Sequence, residues 1–376
     1  MKRDKLTILL LGSAAAIHTV KWAKYFANIG HKVHLISYDP PRDEEMGNLE
    51  LHLIGKKLPI QFWRLNTIIN LPFALIQIKR LIKKIKPDIV NAHYVTSYGH
   101  LAVFLGLHPL IMTAWGSDIL IAPKESLITK IVVKYVLKKA DLITCDAEHL
   151  KEAMIKLGAS PSKIKTINFG IDTQKFCPGL KDENLIKSLG ISNHQIVISL
   201  RRLEPGYSVE TLIKAIPLVI KEIPDTKFLI VSRGSQEEEL KRLAKDLGVT
   251  ESIRFVGQVP NEELPKYIRT ADVYVSTSLS DGGISSSTAE AMACELPVII
   301  TDIADNKKWV KDGENGFLIP VKNPEILSEK IIYLLKNKGL GKRFGKAARK
   351  IIEERNDYYK EMAKMEKIHE ELTKNN

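Results

Sequence analysis

The chain has 376 residues, 44% hydrophobic and 27% charged, a balance that excludes disordered and collagenous chains and leaves room for two ordinary domains with their own cores. Three scattered cysteines, Cys145, Cys177 and Cys294, have no CxxC spacing; that argues against a disulfide framework or a cysteine-built metal site and for a reducing, cytoplasmic setting. The formal charge of +12 is uneven: residues 51–87 hold no acidic side chain, whereas Lys56, Lys57, Arg64, Lys79, Arg80, Lys83, Lys84 and Lys86 are basic, a pattern suited to phosphorylated or anionic partners.

In chain order, the apolar run Leu6 to Leu11 predicts a strand ending at Gly12, with no plausible signal cleavage site after it. A helix is expected over Thr19 to Asn28, stopped by Gly30, and a strand over Lys32 to Ser37. Apolar residues at 68, 71, 75, 78, 82 and 85 have helical spacing. Short buried strands follow at Ile89 to Ala92, Leu110 to Ala114 and Leu142 to Cys145. The longest apolar stretch, Leu101 to Ala114, is broken by His108 and Pro109 and is too short to span a bilayer. After a Pro- and Gly-containing candidate linker, Thr173 to Asn193, the alternation restarts. Strands are expected at Ile196 to Leu200, Lys227 to Val231, Ile253 to Val256, Val273 to Ser276 and Val298 to Thr301, with helices at Val209 to Glu222 and Glu237 to Leu247. A charged helical stretch, Lys342 to Leu372, closes the chain. Alternating strands and helices predict α/β domains with doubly wound parallel sheets, which bind ligands outside the carboxyl ends of their strands.

The stretch Ser276 to Asp302, STSLSDGGISSSTAEAMACELPVIITD, leaves a strand through a Gly-Gly turn and enters a helix, Thr288 to Cys294. Backbone N–H groups at such a helix start, with the positive end of its dipole, suit a phosphate. Gly283 and Ile284 lie in the turn, Ser285, Ser286, Ser287 and Thr288 add hydroxyl donors, and Glu290 could accept from ribose hydroxyls. The same local pattern is equally that of a capped helix with no ligand.

The wider set of motifs resembles the family 4 retaining glycosyltransferases (glycosyl transferase group 1), which have the GT-B fold: two Rossmann-like domains facing an interdomain cleft. The resemblance rests on EAMACELPVI, RRLEPGYSVETLIKAI, FLIVSRGSQEEELKRLA, IRFVGQVPNEELPKYIRTADVYVSTS and INFGID, and more loosely on GHKVHLIS, KPDIVNAHY and TAWGSDI. It implies an acceptor-binding domain over 1–175, a nucleotide-sugar-binding domain over 176–355 and a C-terminal helix over 356–376, with Tyr358 and Tyr359, docking back on the first domain. It implies a UDP- or GDP-sugar as co-substrate with no other cofactor, a hydroxyl acceptor, and a role in glycan, glycolipid or cell-surface polysaccharide synthesis. Glu290 matches the ribose-binding glutamate that ends the family's E-x7-E signature, and Arg202 the arginine that pairs with the donor diphosphate. Val256 to Pro260, with Gly257 and Val259, matches the loop under the base, and Ile284 to Ser286 the turn whose amides meet sugar and phosphate.

Three positions depart from the family pattern. Eight residues before Glu290 stands Gly282, so Asp281 is the stand-in for the first glutamate. Tyr207 replaces the family lysine, leaving Arg201 or Arg233 to supply the missing cation, and Trp115 replaces a frequent active-site histidine, leaving His93 or Asp118 as polar candidates. No Asp-x-Asp motif is present, so no divalent metal is expected. Retaining transfer in this family is viewed as a front-face displacement, in which the protein mainly orients reactants and stabilises diphosphate charge.

On the acceptor side, Gly12, Ser13 and His18 follow the first strand and read as sugar or acceptor contacts, or as turn chemistry alone. His93 reads as a cleft or a structural histidine, and Asp118 as an acceptor ligand or a helix cap. The basic stretch 56–86, with Phe62 and Trp63 as candidate interfacial anchors, suggests peripheral contact with anionic membrane carrying a lipid-linked acceptor. The rival readings are a catalytically weak sugar-nucleotide-binding protein, motivated by Tyr207, Trp115 and Gly282, and an epimerase or phosphorylase on the same fold; no nucleic-acid motif is present.

Overall fold

The structure is a computed structural model that describes residues 5–41, 46–55, 63–281 and 283–374, with the backbone alone over 63–71. Lys56, Lys57, Phe62 and Gly282, and the side chains of Trp63, Arg64, Ile68 and Leu71, therefore lie outside the described residues. The chain forms two compact units, Met1–Phe169 together with Lys360–Asn376, and Gly170–Tyr359.

In the first unit seven parallel strands run β1 (Thr7–Leu11), β2 (Lys32–Ser37), β3 (Glu50–Leu53), β4 (Ile89–His93), β5 (Leu110–Thr113), β6 (Leu142–Cys145) and β7 (Ile164–Thr166), ordered β3-β2-β1-β4-β5-β6-β7. The apolar runs are buried on both faces, as helix-covered parallel strands must be. The two edge strands were not anticipated: β3 reads ELHL and β7 reads IKT, neither a continuous apolar run, because an edge strand keeps one side open.

The second unit holds six parallel strands, β8 (Gln195–Ser199), β9 (Thr226–Ile230), β10 (Ile253–Phe255), β11 (Val273–Ser276), β12 (Val298–Thr301) and β13 (Gly316–Ile319), ordered β10-β9-β8-β11-β12-β13. Strand β13 was missed because it opens on a glycine. A Cβ on Gly316 would stand 2.8 Å from the Val298 backbone, so close pairing with β12 requires that residue. The helix Val209–Glu222 buries Val209, Leu212, Ile213, Ile216 and Val219, the face its periodicity defines.

One expectation needs correction. Residues 173–193 are not a loose linker: Asp182 caps the helix Glu183–Leu189 by accepting from the amides of Asn184 and Leu185, Gly190 ends it at φ 65°, and Phe176 is buried. The terminal stretch comprises two helices, Lys338–Arg355 and Tyr358–Lys374. Between them the chain leaves helical geometry to pair with residues 170–171: Ile171 N donates to the Asn356 carbonyl, Tyr358 N to the Ile171 carbonyl, and Gly170 N to the Asn356 side chain.

Each sheet has one topological switch point, between β1 and β4 in the first unit and between β8 and β11 in the second. Connections leave in opposite directions there and open a crevice at the carboxyl ends.

Candidate functional site

In the second unit the loops leaving β8 and β11 are stitched together at the switch point. Leu279 N donates to the Gly206 carbonyl at 2.9 Å and the Thr277 hydroxyl to the Tyr207 carbonyl at 3.0 Å. The signature helix spans Ser286–Ala293, two residues earlier than expected, because Ser285 is its N-cap and accepts from Thr288 N at 3.3 Å. Its far end is held by the Arg349 guanidinium, which donates to the Ala293 carbonyl. A hydroxyl cluster fills the helix start: Ser285 Oγ lies 2.8 Å from Thr288 Oγ1, and Tyr274 OH 2.9 Å from Ser287 Oγ.

The guanidinium that meets this turn is that of Arg201. It is 7% exposed, donates to Ser287 Oγ at 3.3 Å, pairs with Asp281 at 2.5 Å and lies 4.5 Å over the Tyr207 ring. Tyr207 therefore supplies a π-face under a cation where the family has a second cation. Asp281 is turned to Arg201; burial pushes its carboxyl up from the usual carboxylate range while the guanidinium pulls it back. Arg202 has 69% of its side chain in solvent, 3.6 Å from Glu204. Glu290 is half-buried in the first turns of the helix, and Gly283 and Ser286 are half-buried beside it. Along the same rim, Gly257 adopts φ 82°, a Cβ there would stand 3.2 Å from the Arg233 guanidine, and Val259 is half-buried. The structure thus groups Arg201, Tyr207, Asp281, Ser285, Ser287 and Thr288 directly; Arg202 stands apart from this cluster.

At the switch point of the first unit, Gly12 leaves β1 so close to Thr19 that a Cβ would meet Thr19 Cγ2 at 2.7 Å. The Ser13 hydroxyl donates to Asp39 at 2.6 Å. His93 ends β4 fully buried, with Nδ1 3.1 Å from the Thr19 hydroxyl and its ring edge-on to Trp22. Burial drives its pKa down to about 3, and the buried His93 Nε2 and Trp115 Nε1 have no hydrogen-bond partner among the described residues. His18 stacks on Trp115 at 4.9 Å with Phe169 close by, and this packing lowers its pKa. Trp115 thus replaces the family histidine with the centre of an aromatic cluster. Of the two readings of Asp118, acceptor ligand or cap, the geometry resembles the second. It is 1% exposed and both of its carboxylate oxygens accept backbone amides, from Val95, Trp115 and Gly116, so it fixes the turns after β4 and β5.

The glycosyl transferases group 1 model matches residues 181–351, and the glycosyl transferase 4-like model matches residues 7–147. The chain belongs to the group 1 glycosyltransferases. An uncharacterized glycosyltransferase of Methanocaldococcus jannaschii is 29% identical over 244 residues, 65% of this chain and 62% of that protein. The GDP-mannose-dependent alpha-(1-6)-phosphatidylinositol monomannoside mannosyltransferase of Mycolicibacterium smegmatis is 29% identical over 187 residues, 48% of this chain and 49% of its own length. The matches thus span about half to under two thirds of these two relatives. Anabaena HepE in complex with UDP-glucose superposes with a TM-score of 0.80 at 19% identity, covering 98% of this chain and all of that one. The fold is GT-B.

Sequence reasoning on this glycosyltransferase missed two things. The Arg201–Tyr207 stack was hidden because a substitution that removes a charge does not announce a ring under the neighbouring guanidinium. The group His34, Glu50 and His52 was hidden with β3: His34 Nδ1 lies 3.0 Å from His52 Nε2 and 3.2 Å from Glu50. Lys32 stands 3.6 Å from the same Glu50 and already answers its charge. No helix among the described residues is long and apolar enough to cross a membrane.

Proposed function

We propose that this glycosyltransferase moves a sugar from a UDP- or GDP-sugar to a hydroxyl acceptor with retention at the anomeric carbon, in glycan, glycolipid or cell-surface polysaccharide synthesis. The observation that carries the reading is the Ser285-capped helix start at the β8–β11 switch point, packed against a buried arginine. First-turn N–H groups and the helix dipole favour a diphosphate there, and Arg201 holds the Ser287 hydroxyl and the Asp281 carboxylate in one arrangement. Glu290 is assigned to the ribose, residues 256–260 to the base, and the solvent-facing Arg202 to the diphosphate, where its fork stabilises charge developing on the leaving group. In the first unit Gly12, Ser13 and His18 take the acceptor or the transferred sugar, and His93 positions the wall behind them through Thr19 and Trp22. The UDP-glucose bound in HepE and the lipid acceptor named for the mycobacterial relative support the donor and acceptor classes. The basic stretch 56–86, of which Lys79, Arg80, Lys83, Lys84 and Lys86 are exposed, is assigned to anionic membrane carrying such an acceptor.

The test is a thermal-shift series with UDP, GDP, ADP and their sugars. Binding to the native state stabilises by about 2.7 kcal/mol at a hundred times Kd. A rise with one nucleoside diphosphate, lost in Arg202→Ala, supports the site; no rise with any of them rejects it. Anomeric analysis of the product by NMR then tests retention. A second reading, nucleotide-sugar binding with little transfer, is favoured by the charge already set against Arg201 by Asp281. Tight binding without sugar released or transferred across many acceptors identifies it.

A further inference from the structure

We propose that the helix Leu127–Lys139 is a membrane-docking element, which seats an exposed apolar face in an anionic lipid surface. The inference is independent of the sugar-transfer reading and of the basic stretch 56–86. The helix is amphipathic in both directions. Val133, Val136 and Leu137 are buried against the first unit. On the opposite side Leu127 is 73% exposed, Ile128 75%, Ile131 59% and Tyr135 46%. At about 100° per residue these four share one sector of the helix roughly 100° wide. Ile121, at the start of the short helix Ala122–Glu125 that precedes it, is exposed as well, and the short helix His100–Phe104, which packs against Leu127–Lys139, ends on exposed Phe104.

Charge selects the occupant. Lys130, Lys134 and Lys138 form an exposed row at i, i+4, i+8 that approaches the apolar sector from one side and enters its edge at Lys138, and Lys139 lies beyond the other border, 5.9 Å from the Tyr135 ring. Between Asp118 and Asp141 the chain holds five lysines, with Lys124 included, against the single carboxylate of Glu125. The helix itself has no acidic residue. A globular surface rarely leaves four large apolar side chains together in water, and such patches mark interaction sites. A second copy across a two-fold axis would oppose lysine to lysine with no carboxylate on the helix to answer them. A bilayer with anionic headgroups satisfies both faces: leucine, isoleucine and tyrosine enter the acyl boundary while the lysine stems extend to phosphates.

The experiment is vesicle flotation of the full chain on phosphatidylcholine alone and with added phosphatidylglycerol, paired with sedimentation velocity. The variants are Leu127→Ser/Ile128→Ser/Ile131→Ser, Lys130→Ser/Lys134→Ser/Lys138→Ser, and Lys79→Ser/Arg80→Ser/Lys83→Ser/Lys84→Ser. All of these positions are exposed, and circular dichroism verifies that each variant stays folded. Expected is binding to phosphatidylglycerol vesicles that falls at least tenfold in the apolar-face variant, and a lysine-row variant that loses the preference for anionic over neutral vesicles. The proposal is overturned if the apolar-face variant binds as the unmodified chain does, if only the 79–84 variant loses binding, or if the unmodified chain ignores vesicles and sediments as a dimer that the apolar-face variant dissolves.

Discussion

Adjacent arginines at 201 and 202 carry opposite expectations. Arg201 is buried in an ion pair with Asp281, so replacing it by Met strands a carboxylate; unfolding of the second unit in urea is expected to lose about 3–5 kcal/mol, most of it recovered when Asp281 is replaced by Leu in the same chain. Arg202, in solvent, is expected to cost under about 1 kcal/mol as Ala. Two histidines of the first unit give a pH signature. His93 and His369 are fully buried, and burial lowers both to about 3 from an unfolded value near 6.5. The unfolded chain binds the extra protons, so the neutral rings contribute their full stability above pH 6.5 and lose it as pH falls toward 3, at up to about 1.4 kcal/mol per pH unit for each ring. Melting curves between pH 7.5 and 5 should show this fall, and His369→Phe, whose ring would stay against Phe26, should lessen it. At this scale the sequence was a partial guide. The Ser285–Thr288 hydroxyls were readable because capping is local chemistry. The pairing of Arg201 with Asp281, 80 positions away, is set by strand order and leaves no mark in either neighbourhood.

Among the elements, the signature helix is positioned from behind. A Cβ on Gly345 of the Lys338–Arg355 helix would stand 1.8 Å from the Glu295 carbonyl, at the turn that ends Ser286–Ala293. Gly345→Ala must push the two apart, with an expected loss of about 1–3 kcal/mol and weaker nucleotide binding, measured by calorimetric titration beside the melting curve. Glycine in the middle of a helix reads in sequence as a weak point, whereas packing makes it a requirement. The central strands were legible because burial on both faces writes an unbroken apolar run; β3 and β7 were not, because pairing at a sheet edge asks for less, and β13 was masked by its opening glycine. The pairing of Asn356 and Tyr358 with residues 170–171 was hidden for the same reason as the Arg201 pair, since the two segments are far apart in sequence.

For the whole molecule, the last helix belongs with what the chain built first. Met362, Met365, Ile368 and His369 are buried in the unit whose strands lie before residue 170, and Glu361 accepts from the Asn168 amide at 2.9 Å. Ending the chain at Tyr359 removes those side chains, at about 1.5–3 kcal/mol for each large apolar one. Differential scanning calorimetry is expected to show the first unit melting well below its normal temperature while the second unit is little changed. Synthesis runs in one direction, and this connectivity makes the order of completion the reverse of the order of emergence. The second unit can close once residue 359 has cleared the ribosome, whereas the earlier half must wait with its groove around Phe26 unfilled until the final segment arrives. A stalled or prematurely terminated chain would therefore present a finished Rossmann fold tethered to an unfinished one, a form that chaperones and proteases are equipped to recognise.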